Sequence, residues 1–162
     1  MRFYVITSSD SGFRGEREDL SGPLIRTLCE AQGYVWAGYS LLPDDRAMLA
    51  EEMCRICDEG LADLILTTGG TGFSPRDVMP EATLDVTERA VPGIPEALRL
   101  NSLKYTDRAM LSRAAAGIRG RTLIVNLPGS PKAVRENLTY LFGPLRHGLE
   151  ILTDKAHDCA RS

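Results

Sequence analysis

Short apolar runs alternate along the chain with longer segments in which apolar residues recur every three or four positions. The runs Arg2 to Ser8, Tyr34 to Leu42, Ala62 to Thr67 and Thr122 to Leu127 predict four strands. The third run is almost continuously apolar, which is typical of a central parallel strand covered by helices on both faces. Alternation of strands with helical segments predicts βαβ units.

The amphipathic segments predict helices between and after these strands. We expect Ser21 to cap one helix, and either Asp44 or Asp45 to cap the next. Glycines at 33 and 60 should end these two helices. Helices are also expected at three later places: Pro80 to Tyr105, interrupted near Pro92 and Pro95; Asp107 to Ile118; and after Ser130, which should cap the last one.

These elements predict one α/β domain, because 162 residues suit a single core of ordinary size. The expected architecture is a single three-layer domain with a mostly parallel, doubly wound sheet. We place this domain at residues 1–155. Residues 156–162, which include His157, are expected to form a polar C-terminal tail.

Composition excludes several classes of partner. Hydrophobic residues make up 43% and charged residues 25%, and the formal net charge is −3, as in ordinary globular proteins. No run is strongly basic, so no nucleic-acid partner is expected. The apolar runs are too short for a membrane span, and the N-terminus lacks a signal-peptide pattern. We therefore expect a cytoplasmic protein.

Cys54 and Cys57 form a C-x-x-C pair, a spacing used in redox and metal sites. The pair lies within a predicted helix, without a preceding strand-to-helix turn and without a second pair to complete a zinc site. Residues three apart on a helix share one face. We therefore favour the interpretation that both side chains simply pack against the core.

Small, hydroxyl-bearing and acidic residues follow each of the four predicted strands. Ligands of open α/β sheets bind beyond the carboxyl ends of the strands, so these residues are expected to meet at one edge. The candidate substrate-binding residues are Ser8, Asp10, Thr68, Gly69, Gly70, Thr71, Gly72, Arg76, Asn126, Pro128, Gly129 and Ser130.

The loop from Thr67 to Gly72 carries the most information. Its glycines allow backbone amides to approach an anion closely, and its threonines add hydroxyl donors. It lacks the Lys-Ser/Thr of a P-loop and the third glycine of a dinucleotide fingerprint. A tight turn would explain one glycine. Three glycines beside threonines and Arg76 favour a phosphate site.

Carboxylates recur at the same predicted edge, at Asp10, Asp44, Asp45 and Asp77. Each alone could be a helix cap. Together, beside a phosphate site, they are suited to hold Mg²⁺, which prefers carboxylates, waters and substrate phosphates. The two histidines lie outside these loops, so a histidine general base is not expected.

Several segments resemble those of the MogA/MoaB family of molybdenum-cofactor biosynthesis proteins. They occur in the family's order over nearly the whole chain. The segments are Ser9–Asp10, Glu18–Pro23, Leu66–Gly72, Pro75–Val78, Pro80–Ala82, Met110–Ala114, Gly117–Gly120 and Asn126–Ala133.

The resemblance implies a molybdopterin-binding fold, a homotrimer and molybdopterin adenylyltransferase activity. In that reaction, ATP and molybdopterin give adenylyl-molybdopterin and pyrophosphate with Mg²⁺. Asp44 and Asp77 match acidic positions important for catalysis, through the metal, and Ser112 matches a serine linked to the active site. A downstream molybdate-insertion protein is a further implied partner.

Other functions are compatible with these residues. The chain could be a paralogue that binds molybdopterin but transfers little or no adenylyl group. It could be a scaffold that passes the cofactor to a partner. Acids and glycines at one edge also suit metal-dependent nucleotide hydrolysis.

Overall fold

A six-stranded sheet forms the centre of the computed structural model, which describes residues 1–154. The strands are β1 (Arg2–Ser8), β2 (Val35–Leu42), β3 (Leu64–Thr68), β4 (Arg89–Ala90), β5 (Ala116–Arg119) and β6 (Thr122–Leu127). Their order is β2-β1-β3-β6-β5-β4. The first four in that order are parallel, and β5 and β4 extend the sheet antiparallel. The predicted mostly parallel sheet is confirmed.

Helices cover both faces of the sheet and make the three predicted layers. They are α1 (Asp10–Phe13), α2 (Ser21–Ala31), α3 (Arg46–Asp58), α4 (Met79–Val86), α5 (Gly93–Ser102), α6 (Pro131–Leu152) and a 3-10 helix (Asp107–Leu111). Successive strand residues point to opposite faces, so Phe3 and Val5 pack with α2, α5 and α6. Tyr4 and Ile6 pack with α3 and α4.

The helix starts agree with the sequence at two positions and differ at one. Ser130 caps α6 by accepting from Ala133 N at 3.2 Å, and Asp45 rather than Asp44 caps α3. Ser21 does not cap a helix, so that expectation is wrong. α2 instead begins at Ser21, whose hydroxyl donates to the Gly129 carbonyl at 2.8 Å.

The helix predicted over Asp107 to Ile118 is also wrong. Only the 3-10 helix forms, and the chain then continues into β5 beside β6. Ala115 N donates to the Asn126 side chain and Asn126 N donates to the Ala115 carbonyl, both at 3.0 Å. Pairing with β6, which begins three residues after β5 ends, therefore replaces the helical hydrogen bonds. Farther upstream, the expected interruption separates α4 from α5, and β4 lies between them.

Cys54 and Cys57 pack against the α3 side of the core, as favoured from the sequence, and both are free thiols. Burial raises the pKa of Cys57 to about 11, so its reactive thiolate is scarce at neutral pH. Within residues 1–154 no helix is long and apolar enough to cross a membrane. The predicted tail with His157, and Cys159, lie outside the described residues.

The register of the parallel strands brings their carboxyl ends to one edge. Ser8 pairs with Leu42, Thr7 pairs with Thr68, and Thr68 pairs with Leu127. The loops that follow β1, β2, β3 and β6 therefore begin side by side. This confirms the predicted convergence of the four strand ends.

Candidate functional site

A cavity of about 430 Å³, here called the main pocket, opens at this edge of the sheet. Its walls are the ends of β1 and β3, the loop before α2, and the start of α6. The lining residues are Thr7, Ser8, Ser9, Gly12, Arg17, Glu18, Asp19, Leu20, Ser21, Asp44, Thr68, Gly69, Gly70, Asp77, Gly129, Ser130 and Pro131.

The Gly-rich loop, residues 69–72, follows β3 and forms part of this pocket with backbone rather than side chains. Gly69 and Gly70 have φ of 90° and 65°, which L side chains rarely adopt. A Cβ on Gly69 would meet the Ser8 carbonyl oxygen, and a Cβ on Gly129 would lie 3.4 Å from Gly69 Cα. Two glycines thus allow three chain segments to approach one another.

Asp44 is positioned by the loops after β1 and β2. Its carboxylate accepts hydrogen bonds from Ser8 Oγ and from Asp10 N, the latter at 3.1 Å. Asp10 reciprocates, because its Oδ1 accepts from Asp44 N at 3.0 Å. The two acids therefore cap each other's backbone, which holds the Asp44 carboxylate at the pocket wall.

Asp10 also forms a two-pronged ion pair with Arg76, with both nitrogen–oxygen distances at 2.9 Å. Hydrogen bonding to this guanidinium, helped by the Asp44 amide, lowers the pKa of Asp10 below its usual value. Both side chains lie at the rim and do not line the main pocket. The predicted candidates Asp10 and Arg76 therefore bind each other.

Asp77 lines the main pocket from the segment between the Gly-rich loop and α4. Its Oδ2 accepts from Ser74 N at 2.8 Å and would lie 2.9 Å from a Cβ on Gly72. Gly72 therefore leaves room for this carboxylate. Asp44 and Asp77 thus bring two carboxylates to one pocket beside the Gly-rich loop, as the sequence predicts.

Arg113 fastens the Gly-rich loop to α4, a role that the sequence does not reveal. Its guanidinium donates to the carbonyls of Gly72 at 2.7 Å and Asp77 at 2.6 Å, and pairs with the Glu81 carboxylate. Partial burial raises the pKa of Glu81, but the Arg113 hydrogen bond and charge outweigh this effect and lower it. These groups are 32 to 41 residues away from Arg113 along the chain.

Asp19 is a second residue that the sequence does not single out. Its carboxylate accepts from Tyr39 OH at 2.6 Å, Thr7 Oγ1 at 2.7 Å, and the N–H groups of Ser21 and Gly22. Burial raises the pKa of Asp19, but these four hydrogen bonds together outweigh it and lower the pKa. Asp19 therefore joins β1, β2 and the start of α2.

A second pocket of about 260 Å³ lies on the other side of the Gly-rich loop. Apolar residues of α5 and the 3-10 helix, such as Leu98, Ala109 and Leu111, form part of its wall. The candidates in this pocket, rather than in the main pocket, are Thr71, Gly72, Ser112, Asn126 and Pro128.

Comparison with known proteins agrees with this geometry. Residues 4–147 match the family described as a probable molybdopterin binding domain. The chain belongs to the MogA/MoaB family. The molybdopterin adenylyltransferase of Helicobacter pylori J99 is 39% identical, over 91% of this chain and 85% of that protein.

The fold is similar to the solved structure of the molybdopterin biosynthesis enzyme MoaB from Thermus thermophilus. The two superpose with a TM-score of 0.89 at 46% identity, over 94% of this chain and 96% of that one. Cinnamon, a molybdenum cofactor synthesis protein of Drosophila melanogaster, is 40% identical over 94% of this chain. The match covers 26% of cinnamon.

In this MogA/MoaB chain, two residues predicted to bind substrate, Asn126 and Thr68, instead use their side chains in hydrogen bonds within the protein. The Asn126 amide donates to Thr67 and Thr83 at 2.9 and 2.8 Å, and its carbonyl accepts from Ala115 N. Thr68 Oγ1 donates to the Pro128 carbonyl at 2.7 Å. Both side chains thus tie the loops together and leave the backbone to face a ligand.

Proposed function

We propose that this chain is a molybdopterin adenylyltransferase. The observation that carries the proposal is one pocket, lined by Asp44, Asp77 and the backbone of Gly69 and Gly70, in a chain of the MogA/MoaB family. Carboxylates for a metal and close-lying glycine backbone for phosphates are what transfer of a nucleotidyl group requires.

In the proposed reaction, a phosphate oxygen of molybdopterin attacks the α-phosphorus of ATP. A new P–O bond forms, the bond to the bridging oxygen breaks, and pyrophosphate leaves with its electron pair. A phosphate monoester is largely ionised at neutral pH, since its second pKa is about 6. The nucleophile therefore needs no protein base, in accord with a pocket whose described lining contains no histidine.

The residues present suit Mg²⁺ as the metal. Among residues 1–154 no group of three or more His, Cys, Asp or Glu side chains could hold a metal ion on its own. Mg²⁺ commonly takes one or two carboxylates and completes its coordination with waters and substrate phosphates. Asp44 and Asp77 would hold it, and it would neutralise charge on the reacting phosphates.

The second pocket gives the proposal room for two substrates. Thr71 and Gly72 line it from one side of the Gly-rich loop, while Gly69 and Gly70 line the main pocket. We infer that phosphates meet at this loop and that the more apolar second pocket takes a ring of one substrate. Ser112, which lines that pocket, would act in binding the ring.

The proposal includes assembly and location. Large apolar side chains are exposed on α5, on the 3-10 helix and on the segment between them, at Leu100, Leu103, Tyr105, Met110 and Leu111. Such a surface suits contact between copies of the chain, and we propose the homotrimer that the family resemblance implies. The enzyme would work in the cytoplasm and supply a molybdate-insertion protein. A monomer in sedimentation at micromolar concentration would contradict the assembly.

Incubation with molybdopterin, ATP and Mg²⁺ tests the activity directly. We expect pyrophosphate release that depends on the pterin. Asp77→Ala should lower the rate on the order of 10²-fold or more, while leaving pterin binding largely intact, because metal-held charge stabilisation is lost. Asp85→Ala is the matched control, since Asp85 lies on the surface of α4 paired with Arg46.

Three results would contradict the proposal and identify an alternative. Pterin binding without pyrophosphate under any divalent metal would indicate a binding-only paralogue. A stable complex with a molybdate-insertion protein, without ATP consumption, would indicate a scaffold. Steady release of phosphate or AMP without pterin would indicate a nucleotide hydrolase.

A further inference from the structure

A single basic side chain lines the main pocket among the described residues, that of Arg17 in the loop between α1 and α2. Four acidic residues share this lining, namely Glu18, Asp19, Asp44 and Asp77. A phosphate ligand therefore enters a pocket with an excess of negative charge. Besides a metal, Arg17 is the side chain there that can offset this repulsion.

Neighbouring sources of positive charge already have partners. Arg76 at the rim is paired with Asp10, and Arg14, in the same loop as Arg17, is paired with Glu16. The first backbone N–H groups of α2 donate to the Asp19 carboxylate. Because the Asp19 carboxylate already accepts from these N–H groups, the start of α2 has little capacity to bind a further anion.

Arg17 itself forms no ion pair or hydrogen bond within residues 1–154 and is exposed at the outer part of the pocket. Thr68 and Ser8, at the ends of the strands, are buried. A ligand that reaches from the strand ends to Arg17 has to be extended and anionic at its outer end. The polyphosphate of a nucleoside triphosphate has this form, and a guanidinium can bind its oxygens in pairs.

We propose that Arg17 binds the β- and γ-phosphates of a nucleoside triphosphate in the main pocket and so distinguishes triphosphates from monophosphates. This inference rests on the proposed function, because it takes ATP as the ligand. It adds the residue that selects the phosphate chain. Arg17 acts on binding of the intact triphosphate, whereas Asp44 and Asp77 act at the reacting phosphorus.

Titration calorimetry with Mg²⁺ and two nucleotides tests this assignment without turnover. The probes are α,β-methylene-ATP, which cannot transfer its adenylyl group, and AMP, which lacks the β- and γ-phosphates. Arg17→Ala should weaken binding of the triphosphate analogue about tenfold, the size of one charge-assisted contact. Binding of AMP should change less than twofold, and Arg17→Lys should fall between wild type and Arg17→Ala.

Arg14→Ala is the matched control, because it removes a cation from the same loop that is paired and does not line the pocket. It should leave both affinities unchanged. If Arg17→Ala weakened the binding of AMP and of the analogue equally, or weakened neither, the assignment of Arg17 would be overturned while the proposed function would stand. Wild-type protein that binds no nucleotide would overturn the proposed function. Thermal unfolding, expected unchanged in Arg17→Ala, verifies that the loop change leaves the fold intact.

Discussion

Gly69 shows how one missing side chain sets the shape of the main pocket. Its φ of 90° and the Ser8 carbonyl oxygen beside its Cα exclude a Cβ. We predict that Gly69→Ala lowers the free energy of unfolding by about 2 kcal/mol or more, because it adds backbone strain and a clash with main chain. Adenylyl transfer should fall at least about tenfold, since the loop that backs both pockets is displaced.

Gly148→Ala is the control for this change. Gly148 lies in α6, and a Cβ there would meet nothing within 4 Å. Alanine should therefore be neutral or stabilise the helix by up to about 1 kcal/mol. Urea denaturation of both variants measures the difference, and equal stability of the two would show that the Gly69 conformation is not required.

At this scale the sequence identified residues whose chemistry is evident from their own segment. Asp44, Asp77 and the glycines follow strands, and parallel strands end together, so their convergence was predictable. Asp19 and Arg113 were not predictable in the same way. Asp19 accepts a hydrogen bond from Tyr39, which lies 20 residues later in the chain, and Arg113 donates to Gly72, which lies 41 residues earlier. No local pattern specifies such pairs.

Among the elements, the connection between the Gly-rich loop and α4 depends on Arg113. We predict that Arg113→Ala lowers the free energy of unfolding by about 2–3 kcal/mol, because two carbonyls and the Glu81 carboxylate lose a charged donor. Adenylyl transfer should fall together with stability, because Arg113 holds Asp77 in place by donating to its backbone carbonyl. Arg113→Lys should recover little of the lost stability, because one ammonium group cannot replace the planar guanidinium that binds all three groups.

The ion pair between Arg46 of α3 and Asp85 of α4 provides the control. It also joins an arginine to α4, but its side chains are 54% and 43% exposed. Arg46→Ala should cost less than about 1 kcal/mol. Equal losses in Arg46→Ala and Arg113→Ala, measured by denaturation, would contradict a special role for Arg113.

The error over Asp107 to Ile118 also belongs to the scale of elements. That segment is rich in alanine, which favours helix locally. In the fold its last three residues belong to β5, because β6 pairs with them and Asn126 holds Ala115. Helix propensity is a weak guide where the segment can instead form a hairpin with the strand that follows it.

For the whole molecule, carboxylates held by hydrogen bonds and ion pairs predict sensitivity to acid. The pKa values of Asp10, Asp19 and Glu81 are all lowered in the folded protein. A lowered pKa means that the unfolded chain takes up protons first as pH falls. Their contribution to stability is therefore full above the ordinary carboxyl range, near pH 4–5, and is lost below it as pH passes the folded values.

We predict that Asp19→Ala lowers the free energy of unfolding by about 1–3 kcal/mol at pH 7, and that this gap narrows near pH 3. Over that interval the unfolded wild-type chain takes up a proton at Asp19 more readily than the folded protein does. The wild type therefore loses stability that the variant, without this carboxylate, never had. Denaturation curves at a series of pH values measure the gap. Glu51 is an exposed acid on α3, and the stability of Glu51→Ala should follow that of the wild type across the pH series. A gap for Asp19→Ala that stays constant with pH would contradict the assignment.

The Gly-rich loop forms a common wall between two pockets, and this has a thermodynamic consequence. A wall that is ordered or shifted by a ligand on one side presents a different surface to a ligand on the other. Linkage then requires reciprocity: whatever factor one substrate applies to the affinity of the second, the second applies to the first. In this protein, therefore, the binding of the two substrates would be coupled through four residues of backbone.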